Sequence, residues 1–266
     1  PYPFFARLRK EEPVTFSPEL GMWMISRQDD ISAVLNNPAV FSSAAMLASG
    51  DNLTAEARAI LGPGPILHDS PLNTDPPVHT RLRRFLQQGF LPARVARQEP
   101  RIRQFANALI DGFIHEGQAD LVARFTYPLP VQVILSLLGV PAQDMAQVKQ
   151  WTTDLFGLVF GLVPPEAQPA LARGVVGDRA YCTPLTGQRR RQPEDDLTSE
   201  LVHTQLDGDV LKTPELVSLV GGSLLAAGHE STTAQLSLIL KNLLEQPERW
   251  ALLCEDPTLV PNPIEE

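Results

Sequence analysis

The segment from Thr213 to Glu245 constrains the fold most, because it is the longest stretch of helical character in the chain. Thr213 can serve as its N-cap, with Pro214 in the first turn, and Pro247 follows its end. Between Leu216 and Ala227 the residues are apolar on nearly every side, which indicates a helix buried through the middle of a protein. This apolar stretch is too short to cross a bilayer, which requires about 20 apolar residues.

The remaining sequence predicts further helices and one small sheet. Residues 13–26 alternate apolar and polar in two runs separated by Ser17–Gly21, which predicts an N-terminal β-hairpin. Helices are expected over Pro3–Lys10, Gln28–Asn36, Thr54–Leu61, Pro76–Gln88, Arg94–His115, Phe125–Leu138, Ala142–Leu162 and Glu166–Arg191. Pro184 lies inside the last of these, so we expect a break or kink near Cys182–Pro184. The prediction is a single, mainly α domain over residues 1–266, with a small N-terminal β-sheet and a long central helix.

Composition and charge argue against several classes of protein. The 266 residues carry a formal net charge of -9, which disfavours non-specific nucleic-acid binding. The basic run Arg189–Arg191 is interpreted as a solvated helix end. Cys182 and Cys254 lack CxxC spacing, so a disulfide scaffold is not predicted and a reducing compartment fits. Without a signal-peptide pattern, the sequence favours a soluble, cytoplasmic protein that has no membrane anchor.

The first stretch that carries chemistry runs from Asp75 to Arg84. Thr74 or Asp75 can cap a helix here, and prolines suit its first turn. His79 and Arg83 are four residues apart, so they share one helix face and can donate several hydrogen bonds to a carboxylate or phosphate. The alternative is an exposed basic helix with ordinary surface pairs, and this stretch alone does not decide between them.

The second stretch, Leu224 to Thr233, lies in the middle of the long helix. Ala227 and Gly228 remove side-chain bulk and leave a groove, although a glycine here costs about 1 kcal/mol relative to alanine. An acid beside a hydroxyl, Glu230 beside Ser231, is a plausible proton relay in a bent, buried helix. The alternative is a helix-packing crossing at the small residues.

His229, in the same stretch, could ligate a metal, but no second ligand lies four residues away. A hydrogen-bonded structural histidine is therefore the preferred interpretation.

The stretch Ala227-Gly228-His229-Glu230-Ser231-Thr232 is similar to the central oxygen-binding helix of the cytochrome P-450 family. Asp75 to Arg84 resembles that family's helix after the long substrate loop. Other segments agree, among them Trp23–Ser43, Ala119–Val122, Leu138–Pro141 and Gln192–Leu197. The matches follow the family's order from Pro3 to Glu266, in the soluble bacterial branch.

The resemblance implies roles for individual residues. His79 and Arg83 occupy the positions that bind the propionates of haem (heme, iron protoporphyrin IX), and Ala227 and Gly228 occupy the place where the helix passes over the distal haem face. Glu230 and Ser231 match the acid–alcohol pair that delivers protons during oxygen activation. The family usually has threonine at the Ser231 position, so Thr232 is kept as a residue that shares the role.

Substrate contacts are assigned by position in the family. They are expected from the loop Ala45–Leu72 and the stretch Phe156–Leu162, represented by Leu72, Phe156 and Phe160, and from Leu224. The alternative for these apolar residues is ordinary core packing.

The implied activity is a haem monooxygenase that inserts one oxygen atom from O2 into a small or medium apolar substrate, by hydroxylation or epoxidation. Because no flavin or nicotinamide motif is visible, electrons are expected from a ferredoxin- or flavodoxin-type donor with its reductase. The family's ExxR glutamate corresponds to Glu266, and the arginine and the proximal cysteine loop lie beyond this sequence, which therefore contains no metal ligand. We expect a truncated P-450 domain with an uncovered apolar face, the alternative being an inactive relative that binds an apolar ligand or partner protein.

Overall fold

Helices form most of the computed structural model, which describes residues 2–44, 53–63, 66–67, 69–160, 163–261 and 264. In chain order, the first half contains α1 (Tyr2–Glu11), β1 (Val14–Ser17), β2 (Met22–Ile25), α2 (Gln28–Leu35), α3 (Ala55–Leu61), α4 (Val78–Gly89), α5 (Pro92–Asp111) and α6 (Pro128–Leu138). The second half contains α7 (Met145–Val159), α8 (Gln168–Arg191), α9 (Leu197–His203), β3 (Gln205–Leu206), β4 (Asp209–Val210), α10 (Thr213–Val217), α11 (Glu230–Leu244) and α12 (Pro247–Glu255).

The N-terminal hairpin is confirmed. β1 and β2 pair antiparallel with Val14 opposite Ile25 and Phe16 opposite Trp23. The aromatic rings of that second pair meet edge to face, with centroids 5.5 Å apart. Gly21 closes the turn at a φ of 64°, in the left-handed region that favours glycine.

The predicted long helix is present, but it is not a continuous α-helix. α10 leads into a π-helical segment, Ser218–Leu225, and a turn at residues 228–229 separates this from α11. We call the whole run Thr213–Leu244 the central helix. Thr213 is its first residue and not its N-cap: the carboxylate of Glu215 instead accepts a hydrogen bond from the backbone N–H of Lys212 at 2.7 Å.

Two apolar clusters hold the helices together. In the first, Leu82 and Phe85 of α4 join residues of α6, α8 and α9 around Leu219 and Leu225 of the central helix. The second packs α3 against α7 and α8 and reaches Ala226. Because the central helix contributes to both clusters, its first half is buried, as the sequence predicted.

Some apolar surface stays exposed, as expected. Within the described residues, α11 contains no buried residue. Trp23 of the hairpin is 66% exposed.

Pro184 does not break its helix, so the predicted break near Cys182–Pro184 is wrong, while the alternative of a kink stays a prediction. α8 runs without a break from Gln168 to Arg191. Cys182 and Leu185 are buried in the first cluster on either side of the proline, while Pro184 itself faces outward. Packing of the buried face therefore outweighs the cost of the missing proline N–H.

No helix among the described residues is both long and apolar enough to cross a membrane.

Candidate active site

His79 and Arg83 lie on α4, as predicted, although the cap of this helix differs from the expectation. α4 begins at Val78 after Pro77, which makes no side-chain cap. The carboxylate of Asp75 instead accepts hydrogen bonds from the hydroxyl of Ser42 and from the backbone N–H of Ser43, the latter at 2.7 Å. These bonds lower the pKa of Asp75 and attach the start of α4 to the chain after α2.

The charged side chains of α4 divide into paired and unpaired ones. Arg81 bonds Asp209 and Glu215, and Arg84 contacts Asp207 at 2.7 Å. In the part of the chain that the structure describes, the side chains of His79 and Arg83 form no hydrogen bond or ion pair. Half-buried His79 and exposed Arg83 are therefore the donors of this helix that remain available to an anion.

Asp209 and Asp207, which pair with Arg81 and Arg84, lie on a hairpin that was not predicted. β3 pairs antiparallel with β4 across Asp207-Gly208, which have φ values of 54° and 81°. An Asp-Gly pair is a strong sequence signal for such a turn, and this signal could have located the hairpin.

The residues around the break in the central helix differ in exposure. Ala227, Ser231 and Thr232 are exposed, Gly228 is partly buried, and the side chain of Glu230 is 43% exposed. Ser231 bonds back to the carbonyl of Ala227 with 3.3 Å between Oγ and O, as expected for a hydroxyl one turn later. Glu230 is thus less buried than the sequence suggested.

Gly228 marks the point where α6 approaches the central helix. A Cβ at this position would lie 2.6 Å from Cγ1 of Ile134 and 2.7 Å from the carbonyl oxygen of Leu224. Close packing by α6 therefore requires glycine here, which agrees with the helix-crossing interpretation. The side chain of Ala227 is exposed and therefore accessible to a ligand.

His229 is fully buried, and its Nδ1 pairs with the carbonyl oxygen of Leu225 at 2.9 Å. Among the described residues, no group of three or more His, Cys, Asp or Glu side chains could hold a metal ion. Both observations agree with the structural interpretation of this histidine.

The predicted substrate residues are dispersed. Leu72 is 43% exposed and Phe160 is 60% exposed, and the ring of Phe160 stacks on Phe156 at a centroid distance of 5.7 Å. Leu224 is partly buried against the first apolar cluster. Residues 45–52, 64–65, 68, 161 and 162 of the predicted substrate segments lie outside the described residues, as does Glu266.

A cavity of about 400 Å³ lies between α7, α8 and the first half of the central helix. Leu155, Val175 and Ala226 contribute apolar walls, and Asp178 and Arg179 contribute charge. As far as the described residues define it, none of the four predicted substrate residues lines this cavity. Ile66 and Leu67, within the predicted substrate loop Ala45–Leu72, do line it, whereas its other walls come from three helices distant in the chain.

The arrangement resembles solved structures of one family. The cytochrome P450 CREJ in complex with (4-ethylphenyl) dihydrogen phosphate superposes with a TM-score of 0.90 at 30% identity, covering 99% of this chain and 66% of that one. P450BioI in complex with an acyl carrier protein ligated to hexadec-9Z-enoic acid superposes with a TM-score of 0.86 at 27% identity. It covers 100% of this chain and 67% of that one. No protein-family model matches the chain.

Curated relatives agree with the structures. Cytochrome P450 107B1 of Saccharopolyspora erythraea is 36% identical over 98% of this chain and 64% of its own length. The monooxygenase PikC of Streptomyces venezuelae is 36% identical over 100% of this chain and 61% of its own length. The mycinamicin IV hydroxylase/epoxidase of Micromonospora griseorubida is 35% identical over 98% of this chain.

The fold and these relatives together define a bacterial haem-monooxygenase class. The chain belongs to the cytochrome P450 family, which confirms the resemblance and the predicted fold. It spans about 64% of the length of the first curated relatives. Members of this family use haem, and relatives such as those named here are oxygenases.

Proposed function

We propose that the whole protein is a haem-dependent monooxygenase that inserts one oxygen atom from O2 into a small or medium apolar substrate. The observation that carries this proposal is the division of charge on α4. Arg81 and Arg84 pair with carboxylates, while His79 and Arg83 form no ion pair with any residue that the structure describes. Two free donors on one face suit the two propionates of haem, so the residues present fit the cofactor.

The first apolar cluster supports the same placement. The buried face of α4, with Leu82 and Phe85, packs in one cluster with Leu225 of the central helix. α4 therefore lies beside the segment that carries Ala227 and Gly228. We assign His79 and Arg83 to the propionates, and Ala227 and Gly228 to contact with the distal face of haem.

Glu230, Ser231 and Thr232 supply the proton path. When bound, haem supplies the iron chemistry that activates O2 and transfers one oxygen atom to the substrate. Glu230 holds the proton at its carboxyl, and the hydroxyl of Ser231 passes it on. The bond from Ser231 Oγ to the carbonyl of Ala227 is long at 3.3 Å, so this hydroxyl is weakly held and free to turn. Exposed Thr232 is the neighbouring hydroxyl that can share the role.

An apolar substrate suits the described cavity, whose walls are largely apolar. We still predict contacts between another part of the substrate and four residues outside this cavity: Leu72, Phe156, Phe160 and Leu224. The electrons are proposed to come from a ferredoxin- or flavodoxin-type donor with its reductase, in the cytoplasm.

The optical spectrum of the reduced, carbon-monoxide-bound full-length protein tests the cofactor and its thiolate ligand. A thiolate-type Soret shift is the expected result, while purified protein without haem would contradict the proposal and favour a non-catalytic ligand-binding relative.

Ser231→Ala tests the proton path. We expect O2 consumption to continue while the fraction that yields hydroxylated product falls roughly tenfold, within the range of general-acid contributions. Ser218→Ala is the matched control, because it removes a hydroxyl of the same helix outside the proposed path. Unchanged coupling in Ser231→Ala would remove Ser231 from the mechanism.

A further inference from the structure

Among the residues that the structure describes, His229 has a hydrogen-bond partner on one of its two ring nitrogens. The ring is fully buried, and Nδ1 lies 2.9 Å from the carbonyl oxygen of Leu225. A carbonyl oxygen can only accept, so Nδ1 must carry a proton and donate it. In the neutral ring, Nε2 is then an acceptor with a free lone pair.

Nε2 of His229 faces the carboxyl group of Glu230. It lies 3.3 Å from Oε1, within the distance of an ion pair when the ring is protonated, and among the described residues the buried Nε2 has no other partner. An ionised carboxylate has only acceptor oxygens. A lone pair and a carboxylate oxygen at this distance repel each other unless a proton lies between them, and a buried unsatisfied nitrogen is costly.

The neighbouring elements offer no better donor to this nitrogen. The ring of Tyr127, just before α6, meets His229 edge to face with centroids 6.2 Å apart, and its hydroxyl is itself buried without a partner. Burial, and then the charge of Glu230, raise the pKa of Tyr127 to about 12, so the phenol stays protonated. Lys149 of α7 places its ammonium 4.4 Å from the centre of the Tyr127 ring. Within the described residues, Glu230 is the acidic group that lies within ion-pair distance of Nε2.

We propose that His229 and Glu230 hold one proton between Nε2 and Oε1, and that His229 thereby positions the carboxyl group of Glu230 for proton delivery. This inference rests on the proposed function, in which Glu230 delivers protons toward Ser231. When the proton leaves Glu230, a carboxylate faces the neutral imidazole, and their repulsion favours uptake of a replacement proton. The 43% exposed side chain of Glu230 gives water access for that uptake, and no electrons move in either step.

The shared proton is directly observable by NMR. We would record proton spectra of the full-length, haem-loaded protein in its diamagnetic ferrous carbon-monoxide form, labelled with ¹⁵N-histidine. The expected result is an exchangeable proton attached to the ¹⁵N of Nε2, distinct from the proton on Nδ1, that is absent from both Glu230→Gln and His229→Gln. Tyr127→Phe is the matched control: it removes a neighbouring polar atom that has no partner, and the resonance should remain. Absence of the resonance from the wild type, or its persistence in Glu230→Gln, overturns the proposal.

The functional consequence is measured separately. In His229→Gln the haem content and the carbon-monoxide spectrum should be unchanged, while the yield of product per O2 consumed falls several-fold. A yield in His229→Gln that equals the wild-type yield shows that His229 is merely structural. If His229→Gln fails to fold, the wild-type and Glu230→Gln spectra still decide the question. Failure of the proposed function would appear differently, as wild-type protein that binds no haem or oxygenates nothing.

Discussion

Arg81 donates from Nη1 to Oε1 of Glu215 at 2.7 Å, and this bond ties α4 to the first turn of the central helix. The same guanidinium donates from Nε to Asp209, and both carboxylates raise the pKa of Arg81 above its usual value. The helix with the proposed propionate donors is thereby held against the helix with the proposed proton path.

Glu215→Ala should destabilise the protein by about 2 to 3 kcal/mol, because it removes charge-assisted bonds from a group that is only 12% exposed. It also removes the hydrogen bond to the backbone N–H of Lys212. Urea unfolding measures the effect. Asp207→Asn is the control: its side chain is 80% exposed beside Arg84 and asparagine tolerates the φ of 54°, so the change should be below about 1 kcal/mol. Equal effects of the two substitutions would show that the pairing of Arg81 with Glu215 is not structural.

Arg83→Ala should lower haem content without lowering the stability of the haem-free protein, since Arg83 has no ion pair with any residue that the structure describes. Arg84→Ala is the matched substitution one position further along α4, and it should leave haem content unchanged. Haem per polypeptide in purified full-length protein, together with thermal unfolding, separates the two effects. Full haem content in Arg83→Ala would disprove its assignment to a propionate.

Asp178 should make stability depend on pH between about 4 and 6. Burial raises the pKa of Asp178 from 3.8 to about 6, against the smaller opposing effects of Cys182 and Arg179. The folded protein therefore binds this proton more tightly than the unfolded chain. Its contribution to stability is complete below pH 3.8 and is lost as pH rises through 6, with a cost at neutral pH of at most about 3 kcal/mol.

Asp178→Asn should remove that pH dependence and raise stability at neutral pH. The measurement is urea unfolding of wild type and variant from pH 4 to pH 7. Parallel stability curves for the two proteins across this range would show that the carboxyl of Asp178 titrates normally.

Pro184→Ala should stabilise the protein, because it restores an N–H donor inside α8 at an exposed position. The helix-interior cost of proline is about 3 kcal/mol, partly offset by the rigidity that proline gives to the unfolded chain. We expect a net gain of about 1 to 2 kcal/mol in chemical unfolding. Pro257→Ala is the control, since proline at the first position of a short helix displaces no intrahelical donor. A loss of stability in Pro184→Ala would mean that the proline relieves a constraint in α8.

Local patterns in the sequence predicted most of the elements, but not α9, α12 or the hairpin of β3 and β4. Helical spacing and end signals located the other helices, and Thr54 caps α3 by accepting a hydrogen bond from the N–H of Ala57. The alternation over residues 13–26 predicted the N-terminal hairpin. These features depend on neighbours within a few residues, so the sequence contains most of the information that determines them.

Long-range partners could not be predicted in the same way. Arg189 was interpreted as part of a solvated helix end, but it is buried and paired with Asp196 and Glu194. Arg81 meets Asp209 at a separation of 128 residues. The unpaired Nε2 of His229 likewise follows from the path of the helix and has no signature in the residue order.

The π-helical segment Ser218–Leu225 changes the direction in which the side chains after it point around the helix axis. Hydrogen bonds in such a segment span five residues, so each residue turns through a smaller angle than the 100° of an α-helix. A helical wheel drawn uniformly from Thr213 therefore assigns Ser231 to the wrong azimuth. Deleting one residue from the segment would tend to restore α-helical winding. Ala227 and Ser231 would then rotate together away from the proposed haem face, with no change to either side chain.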